Sequence, residues 1–251
     1  MCILFIAVEQ HPEYPLIIAA NRDEFHARLT SPSHFWAEGF LAGKDEQAGG
    51  TWMGLSKNGR FAALTNIRAP SRERFDAKTR GELVVQALQT DDDDAFTAHL
   101  QASAEHYNGY NLVYGNLHDL HVFNSHSLEH HTLKPGVYGL SNAKLDTPWP
   151  KIQLGVNALN LACQNPFGLA HDTLFSILRN GDKAPDHLLP DTGIAKPWEK
   201  LLSSIFIQSP DYGTRSSTVV TVDRQQHVVW FEKSFNANGE LTHTVKEHFS
   251  V

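Results

Sequence analysis

The chain opens on an unbroken apolar run, Cys2-Ile3-Leu4-Phe5-Ile6-Ala7-Val8, and the next seven residues, which include two prolines, interrupt it. β-branched and aromatic enrichment followed by breakers predicts a strand and then a turn. A second run, Leu16 to Ala20, ends in Asn21-Arg22-Asp23-Glu24, so a hairpin would return this polar cluster toward the chain start. Two-residue alternation puts Asn21 and Asp23 on one face and Arg22 on the other. The pattern recurs. A turn at Lys57-Asn58-Gly59 leads into an apolar run ending near Asn66, Gly139-Leu140-Ser141-Asn142 closes another strand, and Tyr212 to Thr218 opens one. Asp23, Asn66, Asn142 and Arg215 thus stand near strand ends.

Helical signals occupy the middle of the chain. Thr79-Arg80-Gly81-Glu82 has capping-box spacing ahead of an apolar stretch, and the acidic run 91–94 suits the start of a second helix. Strands return at 110–114, 118–123 and 137–140. Helices follow at 151–163, 171–178 and 198–205, and strands at 217–222, 227–231 and 240–245 close the chain. Strands, then helices, then strands predict an α+β protein of packed layers. With neither an internal repeat nor a linker, residues 1–251 read as one domain. Segments 30–38 and 70–76 read as loops that would set specificity.

Composition narrows the function classes. A chain of 251 residues buries roughly 70–75% of its unfolded surface and needs no disulfides. Its two cysteines, Cys2 and Cys163, make no disulfide scaffold, and no basic leader precedes the first apolar run. No stretch reaches membrane-spanning length, so a cytoplasmic protein is expected. A net charge of −7 without a basic stripe excludes nucleic acid as a partner. Oligomeric state has no sequence signal.

Cys2 is the candidate nucleophile. Once Met1 is removed, as the small size of cysteine leads one to expect, the α-amine of residue 2 lies within reach of its own thiol. An α-amine of pKa about 7.7–8.0 and a thiol of about 8.5 exchange a proton at little cost near neutral pH. One residue would then supply nucleophile and base, and Asp23 beside them would favour their charged forms.

These segments resemble a known family. Met1-Cys2, Ala19-Ala20-Asn21-Arg22-Asp23-Glu24, Gly50-Thr51-Trp52, Thr65-Asn66, Gly139-Leu140-Ser141-Asn142 and Tyr212 to Ser217 are similar, essentially end to end, to the NRDE or transport-and-Golgi-organisation family. The resemblance implies the N-terminal nucleophile (Ntn) hydrolase fold, a four-layer αββα sandwich of antiparallel sheets. Their order also resembles the choloylglycine hydrolase and penicillin V acylase group. That likeness implies Cys2 as nucleophile, Asp23 on the α-amine, Asn142 with Asn66 as oxyanion hole, and Arg215 behind the thiol, lowering its pKa. That group carries arginine three residues before the aspartate, where this chain has Ala20; Arg22, facing away from Asp23, is not expected to replace it.

The fifteen histidines support a second expectation. Those at 118, 121, 126, 130 and 131 match no zinc spacing, and no metal site is expected. Imidazole and thiolate do ligate haem iron, and the family has been connected with haem mobilisation. Haem or another apolar metabolite would then lie against Trp52, Phe25 and Phe35, with Asn21 among the polar contacts and Arg22 or Arg68 near carboxylates. Three functions follow: a cysteine amidohydrolase acting on a small amide and requiring no cofactor, a carrier of haem or apolar metabolite, and an interaction protein with a vestigial site.

Overall fold

The computed structural model describes residues 2–165 and 168–251. In chain order the elements are β1 Cys2–Val8, β2 Leu16–Phe25, β3 Thr30–Phe35, β4 Phe40–Asp45, β5 Met53–Ser56 and β6 Arg60–Asn66. Then come α1 Gly81–Gln89, α2 Asp93–Ser103, β7 Tyr110–Asn116, β8 Asp119–Asn124, β9 Glu129–Thr132 and β10 Gly136–Leu140. Helices α3 Pro150–Cys163, α4 His171–Leu178 and α5 Lys196–Leu201 precede β11 Tyr212–Val222, β12 His227–Phe235 and β13 Leu241–Ser250.

Two antiparallel sheets face each other. One runs β10-β1-β2-β11-β12-β13 and the other β3-β4-β5-β6-β7-β8-β9. Alternation along β1 and β2 sorts the layers: Cys2, Leu4, Ile6, Ile18 and Ala20 join the core between the sheets, while Ile3, Phe5, Ala7, Ile17 and Ala19 pack beneath α3 and α4. Leu83, Val84 and Leu88 of α1, with Phe96 and Leu100 of α2, cover the far face of the second sheet. The result is the αββα sandwich. Strands buried on both faces read as continuous apolar runs, which explains the first seven residues of β1. No helix among the described residues is long and apolar enough to cross a membrane.

Three details depart from the sequence reading. The segment taken as a loop at 30–38 contains β3, an edge strand that accommodates Pro32 because its outer backbone needs no ladder donor. Strands β4 and β9 were not anticipated either. The capping box does not form: Arg80 is the N-cap of α1 without a side-chain cap, and the Glu82 carboxylate accepts from the Tyr107 hydroxyl instead. The acidic run behaves as expected, with Asp92 accepting from the Ala95 amide at 2.9 Å to start α2.

Candidate active site

Cys2 is the first residue of β1 and is 8% exposed. It opens on a cavity of about 840 Å³ whose walls include Arg22, Asp23, Trp52, Asn66 and Arg80. The Ser141 hydroxyl donates to the Cys2 carbonyl at 3.1 Å and anchors the strand start to the end of β10. In the wall of this cavity Gly50 and Gly81 meet backbone to backbone. A Cβ on Gly50 would lie 2.6 Å from the Gly81 carbonyl carbon, so only glycine lets α1 come this close to the approach to Trp52.

The β1–β2 register pairs Cys2 with Arg22. Arg22 therefore shares the inter-sheet face with the thiol while Asp23 points to the other. Its guanidinium stacks 4.2 Å from the Trp52 ring centroid and donates to the Thr30 hydroxyl at 3.0 Å. Burial pushes the Cys2 thiol up; the amino-terminal charge opposes this, Asp23 adds to it, and Arg22 opposes it less strongly. The expectation that Asp23 favours the thiolate is therefore overturned, because a neighbouring negative charge disfavours a second one. A cation is thus present beside the sulfur despite Ala20.

Asp23 is buried, and its Oδ1 accepts from the Thr214 hydroxyl at 2.7 Å. Thr214 reaches it at an irregularity in β11, where the register against β2 shifts between Thr214 and Ser216. Burial raises the Asp23 carboxyl to about 6, against the pull of Lys151 and the Thr214 hydrogen bond. Lys151, in the first turn of α3, was not singled out from the sequence. It is 3% exposed, donates to the Leu202 carbonyl at 2.9 Å, and is brought down to about 8 by burial and the nearby Arg68. A lysine after Trp149-Pro150 carries no sequence signal of burial beyond its place on the apolar face of a predicted helix.

Asn66 ends β6 and lines the cavity. Asn142 is buried behind it: its side-chain amide donates to the Asn66 carbonyl at 2.9 Å and accepts from the Ser141 hydroxyl at 3.0 Å. Asn142 does not line the cavity and instead fixes the residue that does.

The remaining candidates are placed elsewhere. Arg215 is not brought to the thiol; its guanidinium donates to the carbonyls of Phe25, His26 and Arg28 at 3.0, 3.3 and 3.0 Å and holds the turn after β2. Asn21 faces the helices, donating to the Leu178 and Ile205 carbonyls at 2.8 and 2.9 Å and accepting from Ser217 at 2.6 Å. Arg68 forms a buried ion pair with Glu199 at 2.6 Å. Of the three aromatics expected around a macrocycle, Trp52 alone lines the cavity; Phe25 packs on Tyr212 and Phe35 on Phe249. Among the described residues no group of histidine, cysteine or carboxylate side chains could hold a metal ion.

Two facing antiparallel sheets flanked by helices, with a cysteine opening the first strand, define an Ntn-hydrolase fold. The chain is similar over its whole length to a solved structure described as the mutant C2A conjugated bile acid hydrolase from Clostridium perfringens, with a TM-score of 0.53 at 6% identity and 97% of that chain covered. At that identity the likeness concerns the fold. The chain belongs to the transport and Golgi organisation 2 family, whose model matches residues 1–237. It is 37% identical to the transport and Golgi organization protein 2 homolog of Bos taurus, covering 93% of both chains. The Homo sapiens homolog is 35% identical, over 97% of this chain and 96% of that one.

Proposed function

We propose that the protein is a cysteine amidohydrolase that cleaves the C–N bond of a small non-peptide amide through Cys2. The observation that carries this reading is that Cys2 lines a large cavity together with Arg22 and Asp23. The residue-2 amine that would serve as base requires removal of Met1, which lies outside the described residues. That amine takes the thiol proton, and Asp23 holds the resulting ammonium. The sulfur attacks the amide carbon, and the carbonyl oxygen develops negative charge that Asn66, in the cavity wall, would receive. A donor in that role is commonly worth about 10²–10³ in turnover. The ammonium returns its proton to the departing amine, leaving a thioester. Water then adds with the amine again as base, and the acid and free thiol are released. This chemistry needs no cofactor, and the reduced thiols of Cys2 and Cys163 suit the cytoplasm.

A carrier of haem or apolar metabolite is the second reading. Cavity size favours it, because about 840 Å³ exceeds what a small amide needs. No histidine lines this cavity among the described residues, so Cys2 would be the iron ligand. Screening amides against wild type and Cys2→Ala decides between the readings. Turnover lost in Cys2→Ala supports the hydrolase. Turnover unchanged in the variant, or no turnover alongside saturable haem binding, overturns it.

A further inference from the structure

Cations and carboxylates both line the cavity, and most are already matched. Arg28 pairs with Asp45 at 2.7 Å. Arg22 is held by Thr30 and the Trp52 ring. Arg74 lies in the outer loop, donating to the Glu105 carbonyl at 2.6 Å, with Asp76 at 3.9 Å. Lys78 is exposed at the mouth.

Arg80 differs from these. It is half-buried at the N-cap of α1, in the wall of the cavity that holds Cys2. It makes one hydrogen bond, from Nη1 to the Gly109 carbonyl at 3.1 Å. Of the five donors of a guanidinium, the others have no partner among the described residues. Glu73 and Glu24 are the carboxylates that act on it, yet it forms no ion pair with either. The Gly50–Gly81 contact fixes the backbone on which it sits. A guanidinium with unpaired donors, in the wall of the cavity that also holds Cys2, can take two oxygens of one anion.

We infer that Arg80 determines specificity by holding an anionic oxygen group, a carboxylate or a phosphate, on the molecule whose carbonyl is presented to Cys2. The inference rests on the Cys2 reading and names its substrate class: N-acyl compounds that carry a negative charge away from the scissile bond. A neutral amide would leave Arg80 desolvated and unpaired, which is the basis for discrimination.

The test reads alkylation of Cys2 by iodoacetamide in the full chain, located by peptide mass with Cys163 as the internal reference. Glutarate, inorganic phosphate and the neutral glutaramide are added as protectants. Glutarate or phosphate should slow labelling of Cys2 saturably, about tenfold more potently than glutaramide, as a charge-assisted hydrogen bond supplies. Whichever anion is stronger identifies the group. Arg80→Met should remove that advantage and Arg80→Lys should keep part of it. Anions no better than glutaramide, or undiminished protection in Arg80→Met, would overturn the inference. A Tm rise with glutarate in wild type, absent in Arg80→Met, reads the same binding without alkylation, and its absence in wild type counts equally against Arg80. Neither readout needs turnover. Saturable anion protection without amide cleavage sinks only the hydrolase; cleavage indifferent to anions sinks only Arg80.

Discussion

Arg22 stands directly opposite Cys2 across the β1–β2 ladder, and its guanidinium joins the amino-terminal charge, the larger of the two, in opposing the rise of the thiol pKa. Arg22→Met should therefore raise that pKa further. An adjacent opposite charge commonly shifts a group by about 1–3 units, so iodoacetamide labelling of Cys2 at pH 7.5 should slow by about tenfold or more. Arg22→Lys should recover part of the rate. A pH–rate curve for labelling that superimposes on wild type would show that the guanidinium does not act on the sulfur.

Asp23 supplies a prediction in stability. The folded state keeps its proton up to about pH 6, whereas an unconstrained aspartate releases it near 3.8. Between those values the folded chain binds more protons than the unfolded one, so this residue's contribution is full below pH 3.8 and is lost as pH rises through 6. At about 1.4 kcal/mol per unit the loss amounts to about 3 kcal/mol. Urea midpoints of wild type and Asp23→Asn from pH 3.5 to 7 should diverge in favour of the variant as pH rises. Parallel curves would place the Asp23 pKa at an ordinary value.

Lys151 lowers that same carboxyl from the helix side. Lys151→Met should move the divergence between wild-type-like and Asp23→Asn curves to higher pH. Any amidase activity that requires ionised Asp23 should shift its acidic limb the same way. A limb that stays in place while stability alone changes would reduce Lys151 to a packing residue.

The Arg68–Glu199 pair is buried on both sides, and Glu199 also accepts from the Thr192 amide and hydroxyl at 2.8 and 2.6 Å. Removing one partner leaves the other charge uncompensated, at a cost commonly about 3–5 kcal/mol. Glu199→Gln should lower the unfolding free energy read from urea titration by that amount, and Arg68→Met/Glu199→Gln should be less damaged than the two singles combined. Additive losses would mean the pair is not coupled.

Much of this architecture was legible in the chain because its signals are local. The run from Cys2 to Val8 announces a buried strand, and the alternation through Asn21, Arg22 and Asp23 correctly separates their faces. What alternation leaves open is which face meets the thiol. That follows from register, and Cys2 opposite Arg22 becomes visible only once the hairpin is closed. Arg215 was misplaced for a related reason: an irregularity in β11 redirects the chain, and no residue type announces it. Strand β3 was read as a loop because an edge strand tolerates Pro32 and polar residues. Lys151 escaped notice because its burial is decided by α3 docking on the sheet.

That docking offers a final prediction at Gly155, one turn beyond Lys151 on α3. The helix packs on Phe5, which is fully buried, and a Cβ on Gly155 would fall 2.0 Å from Phe5 Cζ and 2.3 Å from Cε1. Alanine normally favours a helix over glycine by about 1 kcal/mol. Here the added methyl has no room, and overpacking a filled core costs about 1–3 kcal/mol. Gly155→Ala should therefore destabilise the protein despite its better helix propensity, and shortening the ring partner in Gly155→Ala/Phe5→Leu should return part of the loss. Since Lys151 shares this face of α3, the single variant should also disturb the Asp23 titration. A stabilised Gly155→Ala protein with an unchanged Asp23 curve would mean that α3 does not sit on Phe5 at this distance.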